Sequence, residues 1–246
     1  RHDGIARVYP PLGRGQAAEI AAHLRAAPCY VGHVRVYGDG VPRSFDETAA
    51  MTDVWCHDME TVVLAPHVWD LVVSLLPTAA RYLGAPPRLY SMNAFWSRAS
   101  DAPERMDLQT FHRDHDDERF LALFVYGTDV INEADGPHRF VLGSHDQSLS
   151  PYGRHGQYIN PDDRSQDVAR NFAPPVYGPA GTAFLADTRG LHMGVKPSSA
   201  EPRLIIWARW GISERPWSYD NDRLEPVDAR RLGDRYPADA APRDLV

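Results

Sequence analysis

The sequence predicts a mostly β architecture with flanking helices, a double-stranded β-helix or jelly roll of two facing sheets. Three observations carry that prediction. From residue 89 onward the chain breaks into short apolar segments bounded by Gly, Pro and Asp turns. Before residue 89 the apolar residues recur at helical spacing instead. Between residues 146 and 178 lies a long polar stretch without period, and compact domains rarely carry a connection of that length unless it serves a function. The 246 residues are read as one unit: a helix-rich brace at 1–88, a jelly-roll core at 89–212 interrupted by a lid-like excursion at 146–178, and a C-terminal surface segment at 213–246.

The elements follow in order. Residues 16–27 read as a helix, with Ile20 and Leu24 four apart and abundant alanine, ended by Pro28. Residues 30–37 supply Val31, Val34 and Val36 and read as a strand. Residues 41–60 show no clear period, although Asp46-Glu47 before Ala49 can open a short helix. Val68, Leu71, Val72 and Leu75 mark a helical region across 62–83, restarting near Pro77, since proline is tolerated only in a first turn. Strands are then expected at 89–97, 109–114, 120–128, 138–142, 182–187, 190–195 and 203–210, with a turn at 132–137 and a short helix at 167–172. The tail at 213–246 is expected as a short helix or irregular segment over the surface.

Composition excludes several function classes. Net charge is −7, from 26 basic and 33 acidic residues, and Lys196 is the only lysine, so a nucleic-acid surface is not expected. No apolar run approaches the ~20 residues needed to span a bilayer, and no membrane partner is expected. Cys29 and Cys56 follow no disulfide or C-x-x-C spacing and fit a reducing, cytoplasmic setting. A monomer or homodimer acting on a small molecule is the expected form.

The chemistry concentrates in residues 109–145, QTFHRDHDDERFLALFVYGTDVINEADGPHRFVLGSH. His112 and Asp114 form a His-x-Asp pair, whose side chains point the same way on an extended backbone. Two imidazoles and one carboxylate make the facial triad of a non-haem Fe(II) site with open coordination positions. His192, in FLADTRGLHMG, is the best candidate for the third arm. His115 with Asp117 has the same spacing, so spacing alone leaves two registers open.

The run FHRDHDD, apolar strand, YGTDV and GPHRFVLGSH, together with GTAFLADTRGLHMG and PRLIIWARW, resembles the phytanoyl-CoA dioxygenase-like family of Fe(II)/2-oxoglutarate oxygenases, whose core is a cupin-like jelly roll. The resembling motifs cover residues 89–145 and 181–211. The resemblance implies His112, Asp114 and His192 as iron ligands. It implies Arg203 as the residue holding the far carboxylate of 2-oxoglutarate, a task that suits a guanidinium fork. It also implies Asn93, and more weakly Gln109, as cosubstrate contacts, with O2 as second cosubstrate. His138 and Ser144 are expected to hold loops. The family often carries leucine where this chain has Gly127, and the glycine is expected to widen the pocket. Asp114 stands where related halogenases have alanine or glycine, which disfavours halogenation. The implied activity is hydroxylation or oxidative cyclisation of a small polar metabolite, such as a sugar-containing antibiotic intermediate. A non-oxygenase cupin-like metal-binding or carbohydrate-binding module is the alternative. Substrate contacts are expected from His115, Asp117, Tyr152, Arg154, His155 and Arg209, the last facing the same way as Arg203 on a regular strand. Asp187 and Arg189 are expected to orient His192.

Overall fold

The computed structural model describes residues 2–33, 38–104, 108–146 and 169–213. The helical lead-in comprises α1 (Arg14–Ala26), α2 (Phe45–Met51), α3 (Met59–Leu64), α4 (Val68–Ser74) and α5 (Leu76–Leu83). Ile20 and Leu24 are the buried stripe of α1, as their spacing requires. Ser44 caps α2 by accepting from the Glu47 amide while Glu47 returns a bond to the Ser44 amide. The apolar region at 62–83 divides into α3, α4 and α5, and Pro77 falls in the first turn of α5.

Among the described residues, ten strands form two antiparallel sheets. The larger runs β1 (Ile5–Arg7), β8 (Ala183–Ala186), β5 (Phe120–Tyr126), β10 (Arg203–Gly211), β4 (Arg88–Ser97), β3 (Val54–His57), β2 (Tyr30–Val31); the smaller runs β7 (Pro175–Val176), β6 (His138–Phe140), β9 (His192–Gly194). This is the expected jelly-roll architecture, with three strands that the sequence reading passed over: β1, β3 and β7, the last at the end of the 146–178 stretch. β1 lies in a turn-rich opening and lengthens the sheet beside β8. β3 is buried on both faces and so shows no alternation from which to read it. The expected strand at 109–114 reduces to a single antiparallel bridge, His112 to His192. Of the strand expected at 30–37, Tyr30–Val31 is a strand and 34–37 lie outside the described residues. Residues 169–171 form a helical turn where a short helix is expected.

The large sheet divides its two faces cleanly. On β10, Leu204, Ile206, Ala208 and Trp210 pack with α1, α3, α4 and α5 in the outer core. Ile205 and Trp207 alternate with them and join the inner core with Phe95, Phe124, Tyr126 and Phe184. Arg203 and Arg209 fall on this inner face, facing the small sheet. Gly127 belongs to the other face. A Cβ there would meet Leu204 Cδ2 at 2.3 Å, so the glycine makes room for an outer-core leucine and does not widen the inner pocket.

His57 is a buried polar pin in this framework. Its Nδ1 lies 3.0 Å from the Pro28 carbonyl, and its Nε2 accepts from the Trp96 indole at 3.1 Å. Burial pushes its pKa down from 6.5 to about 4. The unfolded chain therefore binds the extra proton between those values. The stabilising contribution is complete above pH 6.5 and is lost as pH falls toward 4, at most about 3 kcal/mol. Urea unfolding at pH 7 and pH 4.5 is expected to show a larger loss of stability for the wild type than for H57Q.

Candidate metal centre

The small sheet carries one half of the site and a loop beside it the other. His112 and His192 exchange both backbone hydrogen bonds, each 3.0 Å, as a hydrogen-bonded antiparallel pair does. Their rings are thereby set side by side with centroids 4.2 Å apart. Asp114, two residues on, is fixed by its amide bond to the Thr188 carbonyl at 2.9 Å. Its carboxylate oxygens lie 3.8 Å from His112 Nε2 and 3.7 Å from His192 Nε2. One donor atom from each of the three residues lies within 4.8 Å of the others, and this is the metal-capable cluster found among the described residues. The register with His112 and Asp114 is thus the one that converges with His192. His115 and Asp117 do not join it.

The donor set suits a divalent ion. His112 Nδ1 is 2.8 Å from the Thr110 carbonyl and His192 Nδ1 is 2.9 Å from the Gly190 carbonyl. A carbonyl only accepts, so each Nδ1 carries the proton and each Nε2 turns its lone pair toward Asp114. Burial, reinforced by neighbouring His112, holds the His192 pKa well below that of an ordinary imidazole, which keeps it in the neutral form that metals bind. Ligands on adjacent corners of an octahedron sit about 3 Å apart, so a small closure of the 3.7 and 3.8 Å gaps completes the triad.

Arg113, between the two proximal donors, points the other way and ties their loop to the distal one. Its Nη1 donates to the Ser144 carbonyl at 2.7 Å and the Arg189 carbonyl at 2.6 Å. Asp187, fully buried, accepts from Tyr82 Oη at 2.6 Å and from Arg189 Nη2 at 2.5 Å, bracing the turn that leads into His192. The Ser144 hydroxyl bonds the Val141 carbonyl and accepts from the Leu191 amide, so the GSH turn holds a loop as the motif implies.

Arg203 opens β10 on the inner face, wholly buried. Its Nη1 donates to the Gly136 and Val195 carbonyls, while Nε and Nη2 have no hydrogen-bond partner among the described residues. Burial lowers its pKa to about 10. A buried cation with two idle donors asks for an anion. Gly194, two residues after His192 on the same face of β9, lies against the guanidinium: a Cβ there would lie 3.6 Å from Nη2, an ordinary contact. Asn93 also lies on the inner face; its Nδ2 donates to the His33 carbonyl and its Oδ1 is unpartnered among the described residues. Gln109 is buried just upstream of His112.

His138 is a site residue that the motif reading assigns to loop support. Its ring stacks on His192, at 5.6 Å and 22°, and packs against the Phe124 and Phe184 rings. The signal lay in the sequence, an imidazole in the strand that pairs with the distal ligand, but nothing in the spacing gives its direction. Burial first, then His192, His112 and Arg203, hold it well below the ordinary imidazole pKa.

The expected substrate residues divide. His115 and Asp117 line a cavity of about 670 Å³ that opens beside Asp114, with Tyr82, Glu118 and Arg189 also on its wall. Asp117 also accepts from the Ile212 and Ser213 amides and the Ser213 hydroxyl, which ties it to the end of β10. Arg209 faces inward like Arg203, but it is paired with Asp116 at 2.5 Å and lies over the Trp207 ring at 4.7 Å. Tyr90 donates to the same Asp116 carboxylate at 2.7 Å. Tyr152, Arg154 and His155 lie outside the described residues.

Arg113 is expected to act on the metal site through its two carbonyls. R113M should lower Co2+ affinity about tenfold in a calorimetric titration, with partial recovery in R113K; unchanged affinity in R113M would reduce Arg113 to a packing residue.

No protein-family model and no curated protein matches the chain. Solved structures do match. HygX from Streptomyces hygroscopicus, with nickel, 2-oxoglutarate and hygromycin B bound, superposes at a TM-score of 0.60 with 14% identity, over 87% of this chain and 84% of that one. AviO1 from Streptomyces viridochromogenes Tue57 gives 0.53 with 19% identity, over 88% and 93%. SnoK, a non-haem α-ketoglutarate-dependent carbocyclase of nogalamycin biosynthesis, gives 0.56 with 20% identity, over 85% and 80%. The chain therefore has the fold that these three structures share.

Proposed function

We propose that this chain is a non-haem Fe(II)/2-oxoglutarate-dependent oxygenase that hydroxylates or oxidatively cyclises a small polar metabolite. The observation that supports it is the pairing of a two-histidine, one-carboxylate cluster with a buried arginine whose Nε and Nη2 are idle. His112, Asp114 and His192 would hold the ion, and three coordination positions would stay open. When bound there, Fe(II) and 2-oxoglutarate supply an oxidant from O2, with succinate and CO2 as the spent cosubstrate.

The protein's own share is geometric. Arg203 supplies the buried positive charge for the far carboxylate of the dicarboxylate. Phe95, Phe124, Phe184 and Ile205 wall the inner face and exclude water. The cavity beside Asp114 is large enough for a drug-sized ligand, and its polar wall suits a hydroxylated one. HygX and SnoN have been solved with hygromycin B and nogalamycin RO, respectively. A sugar-containing antibiotic intermediate is accordingly the substrate class we assign. Residues 1–246 are taken as one catalytic unit.

The reading is tested by adding Fe(II) and 2-oxoglutarate anaerobically and following the visible charge-transfer absorption of the chelate. Wild type should develop the band and H112A or H192A should not; no band in wild type sinks the oxygenase reading. R203A should bind 2-oxoglutarate at least tenfold more weakly while its metal affinity changes little. Equal losses in both would remove Arg203 from its assigned role.

A further inference from the structure

We propose that His138 is a binding residue for the dicarboxylate, its Nε2–H donating a hydrogen bond to the 2-oxoglutarate that Arg203 holds. This rests on the oxygenase reading above. The imidazole is 3% exposed, and its Nε2 has no hydrogen-bond partner among the described residues. Leaving a buried nitrogen unpaired is costly, and a leucine or phenylalanine would fill the same apolar niche without that cost.

The position explains what the nitrogen is for. His138 pairs directly with Gly194 across β6 and β9. Gly194 carries no side chain, and the Arg203 guanidinium lies against it. The imidazole and the guanidinium are thus both neighbours of Gly194, and the imidazole also stacks on the His192 ring and packs against Phe124 and Phe184. His138 therefore stands next to His192 and next to Arg203, the two points at which the dicarboxylate would be anchored. Three donors in this neighbourhood lack a hydrogen-bond partner among the described residues: Arg203 Nε, Arg203 Nη2 and, in the tautomer protonated at Nε2, His138. A dicarboxylate supplies the acceptors they lack, and an apolar occupant would satisfy none of them. The neighbouring structures carry a dicarboxylate of this kind together with a metal.

The test uses Co2+-loaded protein and measures 2-oxoglutarate binding calorimetrically in wild type, H138L, H138F and H138Q, with Co2+ affinity measured separately. H138L or H138F, whichever folds, should weaken 2-oxoglutarate binding about tenfold while Co2+ affinity stays within about twofold. H138Q, which keeps an N–H donor, should recover part of the loss. Wild-type 2-oxoglutarate affinity in the folded donor-less variant would overturn the assignment and make His138 a packing residue. A parallel loss of Co2+ affinity would overturn it too, since His138 would then act through His192. If the wild type itself binds Co2+ but no 2-oxoglutarate, the oxygenase reading falls, and this inference with it.

Discussion

Two backbone hydrogen bonds, exchanged between His112 and His192, set the geometry of the site. They join a loop to a strand of three residues, and they place two imidazoles at the spacing of a closely paired antiparallel register. Each ring is then turned by a carbonyl from its own segment, Thr110 or Gly190, so that Nε2 points to the shared space. Asp114 enters that space because its amide is caught by Thr188, on the turn that leads to His192. The His-x-Asp spacing is therefore insufficient by itself. A regular strand would direct both side chains to one face, but here the chain leaves the sheet after a single bridge, and the distal turn supplies the missing constraint.

Two arginines on one strand show how the fold separates binding from support. Arg203 and Arg209 lie six residues apart on the inner face of β10, both almost fully buried. Arg209 is neutralised by Asp116 and covered by Trp207 and Tyr90, so most of its desolvation cost is offset inside the protein. Among the described residues Arg203 donates its hydrogen bonds only to carbonyls, and burial lowers its pKa to about 10. An uncompensated buried cation destabilises the resting fold, and a ligand that brings the missing charge recovers the cost on binding. The asymmetry separates an arginine with unpartnered donors from one held in an ion pair, although both residues obey the same sequence periodicity.

Much of this was legible in the sequence. The period of two along β10 put Arg203 and Arg209 on one face, and the position of Pro77 marked the restart of a helix. The distal histidine was legible as the third arm, but the choice between His112 with Asp114 and His115 with Asp117 was not, because both pairs have equal spacing and only the fold brings one of them to His192. β3 was invisible because burial on both faces erases alternation. Gly127 misled because a glycine signals close approach without saying by what; here the close neighbour is Leu204 in the outer core. His138 was hidden by its motif: a residue between turn and strand reads as loop support, and only its pairing with Gly194 and its stacking on the His192 ring bring it beside the candidate metal centre.

The metal donors sit on the least self-sufficient part of the fold. The large sheet has strands of up to ten residues and a core on both faces, whereas β6 and β9 have three residues each. Short strands gain little from their own ladder, so the small sheet depends on cross-links: Arg113 to two carbonyls, Ser144 to the Leu191 amide, Asp187 to Tyr82 of α5. All three converge on the segment from 187 to 191 that delivers His192. An ion shared by His112, Asp114 and His192 would cross-link the same two segments, so metal binding and the order of the small sheet draw on one free energy. The buttresses reduce how much of that energy is spent on ordering the ligands and leave more of it as affinity. That is the physical reason to find buried polar cross-links behind the short strands that deliver the histidines.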